Sequence, residues 1–203
     1  SKLFNRKKIP TKERLHGDGI YFNLESPEAL DEVFFSNYEE SIKNELENYV
    51  QLILKKEKKS NYLSKNNLNY KRINLLNTIF PNSIFLIPIR EPLYHANSLL
   101  NQHLNFIKIQ QKNDFVKRYM NYIGHNEFGK NHKPWNKPIE FEDLNDLNYW
   151  LEQWYLFFKN ILAKYKNNHN CIFVVYEKLQ NKDYLIKILK KINYIKLKNF
   201  NLN

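Results

Sequence analysis

The chain has 203 residues, of which 42% are hydrophobic and 15% aromatic, enough for one domain with a sizeable core. Its formal net charge of +11 indicates anionic partners, such as a nucleotide, a nucleic acid, an acidic substrate or a membrane surface, although a solvated lysine-rich surface gives the same charge. The single cysteine, Cys171, excludes an internal disulfide framework and a cysteine-based zinc site. No stretch reaches the roughly 18 apolar residues of a membrane helix, and no signal peptide is visible, so we expect a cytoplasmic protein without a membrane span.

A turn rich in chemically useful side chains lies near the start of the chain. Gly17 and Gly19 flank Asp18 and predict a tight turn, with His16 directly before it. His16 and Asp18 are the sharpest catalytic candidates in this half, because an imidazole or a carboxylate can serve as a general base. The alternative is a turn whose aspartate caps local backbone groups.

Two helices are predicted before the first buried strand. The first begins at Ser26–Glu28, which supplies a serine cap, a proline at the first helical position and an acid in the first turn, and its apolar spacing continues to Lys55. The second runs from Leu68 to Ile79, with Arg72 on its exposed side. Lys65 lies in the polar loop between them, where a surface lysine is the simplest interpretation of the sequence alone.

The run Ser83 to Ile89 is apolar with little interruption, which is typical of a strand covered on both faces in a parallel sheet. Arg90 follows the strand, and Pro92 begins a long helix. Ligands of open α/β sheets bind beyond the carboxyl ends of the strands, so Arg90 is a fixed cation where an anion is expected. A salt bridge to a nearby acid is the alternative. His95 and His103, eight residues apart on the helix, are predicted to be surface or packing residues.

Residues 124–138 combine glycines and prolines and predict an irregular segment. Irregular segments of this length are usually lids, binding loops or disordered regions. Phe128 and Trp135 provide apolar anchors, which favours a folded lid. His125 and His132, with a glutamate between them, are too loosely spaced for a metal site, and we predict none.

A strong helical stripe from Leu147 to Leu162 predicts a core helix. It is followed by a second buried strand from Cys171 to Tyr176. Buried strands that alternate with helices predict an α/β domain with a short parallel sheet flanked by helices.

Four segments resemble the sulfotransferase superfamily, whose members use 3′-phosphoadenosine-5′-phosphosulfate (PAPS). The main one, at residues 80–100, is FPNSIFLIPIREPLYHANSLL, which is similar to the family's block of an apolar run followed by Arg-(Asp/Glu)-Pro and a serine. The others are RLHGDGIYFNLESPEALDEVFF, YLSKNN and CIFVVYEKL, the last similar to a strand that ends in Tyr-Glu-x-Leu. Together the matches extend over most of the chain, from Arg14 to Leu179. The resemblance implies that Glu177 has a structural role and pins nearby backbone.

The resemblance also implies a fold and a set of roles. The fold would be the P-loop-like sulfotransferase fold. Arg90 and Ser98 would hold the 3′-phosphate of the nucleotide, and Lys65 would stabilise the leaving oxygen. His16 or Asp18 would serve as the general base.

The family's opening strand and its 5′-phosphosulfate loop, of the type PRSGTT, do not occur in the sequence. We therefore expect a single domain over residues 1–203 that is N-terminally incomplete and lacks the first strand. The predicted reaction is in-line sulfuryl transfer from PAPS to a hydroxyl or amine of a glycan, lipid or small molecule, with PAP as the product and no metal. Two alternatives are a non-catalytic sulfotransferase-like binding or scaffold module and a basic nucleic-acid-binding protein.

Overall fold

The structure, a computed structural model, describes residues 14–15, 21–22, 40–122 and 126–192. The chain divides into two compact units, Ser1–Ile79 and Phe80–Asn203, which are described separately. The single domain over residues 1–203 stays a prediction. The predicted helix start at Ser26–Glu28 lies outside the described residues.

The first unit contains a short antiparallel pair of strands. Arg14–Leu15 (β1) pairs with Tyr21–Phe22 (β2), with Arg14 opposite Phe22 and Leu15 opposite Tyr21. The predicted turn that contains His16 and Asp18 lies outside the described residues, so both catalytic candidates stay predictions.

Helix α1 spans Lys43–Glu57 and follows a 3-10 turn at Glu40–Ile42. Its apolar side chains Leu46 and Val50, one turn apart, are buried, as the helical spacing of the sequence predicts. The helix ends at Lys58, whose left-handed backbone (φ 52°) turns the chain so that the Lys59 N–H bonds to the Leu54 carbonyl at 3.0 Å.

The predicted helix from Leu68 to Ile79 divides into two parts. Asn67–Arg72 forms a 3-10 helix, and only Ile73–Ile79 is α-helical (α2). The prediction that Arg72 is exposed was wrong, because this side chain is buried. Its guanidinium donates from Nε and Nη2 to the Asn69 side-chain oxygen at 3.1 and 2.9 Å. Asn69 lies three residues earlier, the distance that a 3-10 turn places in line, so two of the guanidinium N–H groups find their acceptor within the turn.

The second unit contains a two-stranded parallel sheet. Phe85–Ile89 (β3) pairs with Cys171–Val175 (β4) in register from the first residue of each strand to the last. Helix α3 spans Pro92–Lys112, and the Glu91 carboxylate caps it by accepting the backbone N–H of Tyr94. The α/β class and the parallel pairing are therefore confirmed, whereas the P-loop-like sulfotransferase fold stays a prediction.

The two strands differ in how well they are covered. In β4, Ile172 and Val174 are buried, but in β3, Leu86 is 47% exposed and Pro88 is also exposed. The expectation that the first strand is covered on both faces was therefore wrong for the part of the chain that the structure describes. The two exposed side chains alternate along β3 and therefore lie on one face, which the described residues leave open to solvent.

The remaining helices are Asp114–Tyr122 (α4), Leu147–Tyr165 (α5) and Lys182–Lys191 (α6). The predicted core helix is confirmed by α5, which contacts α3 along the main core of this unit. The buried members of that core are Ala96, Phe128, Tyr149 and Trp150. Among the residues that the structure describes, no helix is both long and apolar enough to cross a membrane.

Candidate functional site

The carboxyl ends of β3 and β4 bring charged side chains to one edge of the sheet. Arg90 directly follows β3, and Glu177 lies two residues beyond the end of β4; because the strands are parallel and Ile89 pairs with Val175, both lie at the same edge. The Arg90 Cζ lies 5.5 Å from the centroid of the Tyr176 ring, a cation–π contact. Tyr176 is itself 53% exposed, so the pair lies at the surface. We call this group, with Glu91 and His95, the Arg90 edge.

Glu177 fixes the backbone of the Arg90 edge. Its Oε1 accepts the backbone N–H of Glu91 at 2.8 Å, across 86 residues of sequence. Hydrogen bonds from the backbone N–H groups of Glu91 and of Glu177 itself, helped by the nearby Arg90 charge, lower the pKa of the Glu177 carboxyl. The backbone-pinning role that the sequence resemblance implies for Glu177 is therefore confirmed, and it ties the turn between β3 and α3 to the end of β4.

His95 lies one turn into α3 and was not identified as a site residue from the sequence. Its backbone N–H bonds to the Glu91 carbonyl at 3.0 Å, and its ring packs 6.4 Å from that of Phe158 on α5. The ring Nδ1 is buried and has no hydrogen-bond partner among residues 40–122 and 126–192. Burial lowers the pKa of His95, Arg90 lowers it further, and Glu177 acts in the opposite direction. Only the folded register of α3 on α5 reveals this arrangement.

Ser98 and Lys65, the other predicted contacts to PAPS, are both exposed. Ser98 lies on α3 four residues after Tyr94, and the two exposed side chains therefore share one face of the helix. Lys65 belongs to the first unit and lies just before the 3-10 helix Asn67–Arg72. The residues that the structure brings together are Arg90, Tyr176, Glu177 and His95.

A second polar cluster is buried beneath the segment 126–146, which we call the anchored segment. The His132 Nδ1 lies 2.6 Å from the Glu127 carbonyl oxygen, and its Nε2 lies 2.6 Å from the Tyr149 hydroxyl. A carbonyl can only accept, so Nδ1 carries the proton and Nε2 accepts from Tyr149. The buried His103 completes the cluster, since its Nδ1 accepts the Gly129 N–H at 3.3 Å.

Burial dominates the titration of this cluster. Desolvation lowers the pKa of His103, and the neighbouring His132 lowers it further. Desolvation also lowers the pKa of His132, against the Glu127 carbonyl, which favours the protonated ring. Burial, with a contribution from Glu152, raises the pKa of Tyr149 to about 12. All three groups are therefore held neutral, as suits residues that pack and hydrogen-bond in a core.

Side chains of α5 hold the rest of the anchored segment. Gln153, which is 0% exposed, accepts the Asn136 N–H at 3.1 Å and donates to the Asn136 carbonyl at 2.9 Å. The Glu152 carboxylate accepts the backbone N–H groups of Ile139 and Glu140. These bonds hold part of residues 126–140 against α5, and the predicted lid at residues 124–138 stays a prediction, with Gly124 and His125 outside the described residues.

The histidines of this cluster do not point to a metal centre. His132 uses both ring nitrogens on protein groups, and its contact with Glu127 is to the backbone carbonyl. Within the described parts of the chain, no group of three or more His, Cys, Asp or Glu side chains is placed to hold a metal ion. We interpret the cluster as a structural anchor and the Arg90 edge as the candidate site.

Comparison of the chain with protein-family models, with curated proteins and with solved structures gave no match in any of the three. The relationship to the sulfotransferase superfamily therefore stays a prediction that rests on the four sequence segments.

Proposed function

We propose that the protein is a sulfotransferase that transfers a sulfuryl group from PAPS to a hydroxyl or amine acceptor. The observation that carries the proposal is the position of Arg90, immediately beyond β3 at the carboxyl edge of a parallel strand pair. Ligands of α/β sheets bind at this edge, and the sequence around Arg90 is the part that most resembles the family.

The surroundings of Arg90 suit a phosphate. A guanidinium offers a planar fork of N–H groups that matches two phosphate oxygens. The Tyr176 ring packs against it, which restricts its rotation, and Glu177 fixes the turn from which it projects. Ser98 presents an exposed hydroxyl on the following helix, and we assign it a hydrogen bond to the same 3′-phosphate.

The remaining roles rest on the sequence resemblance. Lys65 would stabilise the oxygen that bridges phosphorus and sulfur, because this oxygen gains the electron pair when its bond to sulfur breaks. His16 or Asp18 would accept the proton of the acceptor as its oxygen or nitrogen bonds to the sulfur. PAPS supplies the sulfuryl group and leaves as PAP.

The test is PAP binding measured by calorimetry on the full chain and on Arg90→Ala. Hydrogen bonds to charged groups contribute about 1.5–3 kcal/mol, so we expect affinity to fall roughly 10- to 150-fold. Arg118→Ala is the matched control, since Arg118 is an exposed arginine that pairs with its helical neighbour Asp114. Adenosine 5′-monophosphate, which lacks the 3′-phosphate, should bind Arg90→Ala as well as it binds the wild type. Equal PAP affinity in Arg90→Ala and Arg118→Ala would remove the nucleotide assignment.

One observation favours a second candidate, a non-catalytic module with the same fold. Two carboxylates, Glu91 and Glu177, lie at the edge that also holds Arg90, and they oppose the positive charge that an anion would seek. In that case Arg90 is a structural partner of Glu177 and Tyr176. Arg90→Ala would then lower the melting temperature, and PAP would not raise it for the wild type.

A further inference from the structure

The balance of charge at the Arg90 edge raises a question about how it would hold an anion. Arg90 contributes one positive charge, and Glu91 and Glu177 contribute one negative charge each. Both carboxylates are committed to backbone N–H groups, Glu91 to Tyr94 and Glu177 to Glu91. These bonds fix the turn and leave both carboxylates beside the site, where they oppose an arriving sulfate or phosphate.

His95 is a further titratable side chain that the structure relates to this edge. Arg90, from the end of β3, and Glu177, from the turn after β4, both act on it electrostatically. On its own helix, Glu91 takes its backbone N–H, and from α5 the apolar Phe158 packs against its ring. The charged groups that face the imidazole are therefore those that would meet the anion.

The state of the His95 ring shows capacity for one more proton. Its buried Nδ1 has no hydrogen-bond partner in the described part of the chain. Burial and the Arg90 charge lower the pKa of His95, so the imidazole is neutral near pH 7 when the site is empty. An anion at Arg90 reverses the local field, because it cancels the positive charge that disfavours the imidazolium.

We infer that His95 takes up a proton when an anion binds at Arg90 and so supplies the second positive charge of the site. The inference rests on the proposed function, because it needs an anion at Arg90. By linkage, a ligand that is favoured by a protonated group favours that protonation in turn. Affinity for an anion should therefore rise as pH falls. The rise is at most tenfold for each pH unit over which His95 is unprotonated in the free protein but protonated in the complex.

The probe is inorganic sulfate, because phosphate groups titrate near pH 6 and would add their own pH dependence, whereas sulfate stays a dianion. Sulfate affinity is measured at constant ionic strength between about pH 8 and about pH 6, across the ordinary pKa range of histidine. We expect the wild type to gain roughly five- to tenfold in affinity over this range and His95→Gln to show a flat profile. His169→Gln is the matched control, because His169 is exposed and should keep the wild-type slope.

A direct readout guards against a misfolded variant. In wild-type protein, the NMR titration of the His95 ring should give a higher pKa with saturating sulfate than without it. An unchanged His95 pKa, or the wild-type slope in His95→Gln, would overturn the inference while PAP binding that depends on Arg90 still supported the proposed function. If neither sulfate nor PAP binds the wild type at any pH, the proposed function fails first and the inference with it.

Discussion

Tyr149→Phe tests whether the buried cluster anchors the segment 126–146. Tyr149 is only 1% exposed and donates its hydroxyl to the His132 Nε2 at 2.6 Å. Phenylalanine keeps the ring and nearly the whole volume, so the substitution leaves no cavity of consequence. It removes a single donor and leaves the His132 nitrogen without its partner.

The expected loss follows from that unpaired nitrogen. Leaving a buried acceptor unsatisfied costs about 1–3 kcal/mol in the free energy of unfolding. With a typical urea dependence of roughly 2 kcal/mol per molar, the unfolding midpoint should fall by about 0.5–1.5 M urea. The effect should be larger than that of an exposed tyrosine, whose hydroxyl exchanges its bonds with water.

The assay is urea unfolding monitored by fluorescence, with amide hydrogen exchange of the anchored segment as a local measurement. Tyr155→Phe is the control, because Tyr155 lies on the same helix and is 56% exposed. Tyr155→Phe should stay within about 0.5 kcal/mol of the wild type. If Tyr149→Phe unfolds at the same urea concentration as Tyr155→Phe and its segment exchanges no faster, the assigned anchor is wrong.

Three further predictions concern the same segment. The pKa values of His103 and His132 in the folded protein lie below the ordinary histidine value of the unfolded chain, so the unfolded state binds more protons in acid. The free energy of unfolding should therefore be constant above about pH 6.5 and fall below that pH, as measured by urea titrations at several pH values. Gly129→Ala should lower the melting temperature, since φ is +83° and the new Cβ would lie 2.5 Å from the Gln110 side-chain oxygen, with a cost of at least about 1 kcal/mol. Gln153→Met should cost about 2–4 kcal/mol in urea unfolding, because it leaves one backbone N–H and one backbone carbonyl unpaired.

Features with strong local signals could be predicted from the sequence. Pro92 at the first helical position and the apolar run before Arg90 place the start of α3 and the strand ahead of it. The stripe from Leu147 likewise locates α5. In each case the signal comes from neighbouring residues or from the spacing of apolar residues along one helix, so it can be identified without tertiary contacts.

Features set by distant partners could not be predicted in the same way. The 3-10 form of Asn67–Arg72 could not be predicted either, because the apolar pattern of so short a segment does not distinguish a 3-10 helix from an α-helix. His132 and Tyr149 are 17 residues apart and meet only after the anchored segment folds back onto α5. The exposed face of β3 depends on which distant elements pack over it, and an apolar sequence carries no information on that.

Helix α3 connects the Arg90 edge with the anchored segment. Its first turn belongs to the Arg90 edge and carries His95, while His103 and Gln110 farther along hold Gly129 and Lys130 of the anchored segment. Lowering the pH therefore has opposite effects at the two ends of this helix. Protonation of His95 strengthens anion binding, whereas protonation of His103 weakens the packing of the segment.

Because protonation of His95 and protonation of His103 have opposite effects, the two can be distinguished by experiment. If anion affinity gained at low pH came from a general loosening of the fold, it would grow in Tyr149→Phe, which weakens the anchored segment but leaves the Arg90 edge intact. If the gain comes from His95, Tyr149→Phe should unfold more easily in acid and still show the wild-type slope of sulfate affinity against pH in its folded population. The pH range for the binding experiment is therefore bounded below by the stability of the cluster around His132, and circular dichroism at each pH identifies that bound.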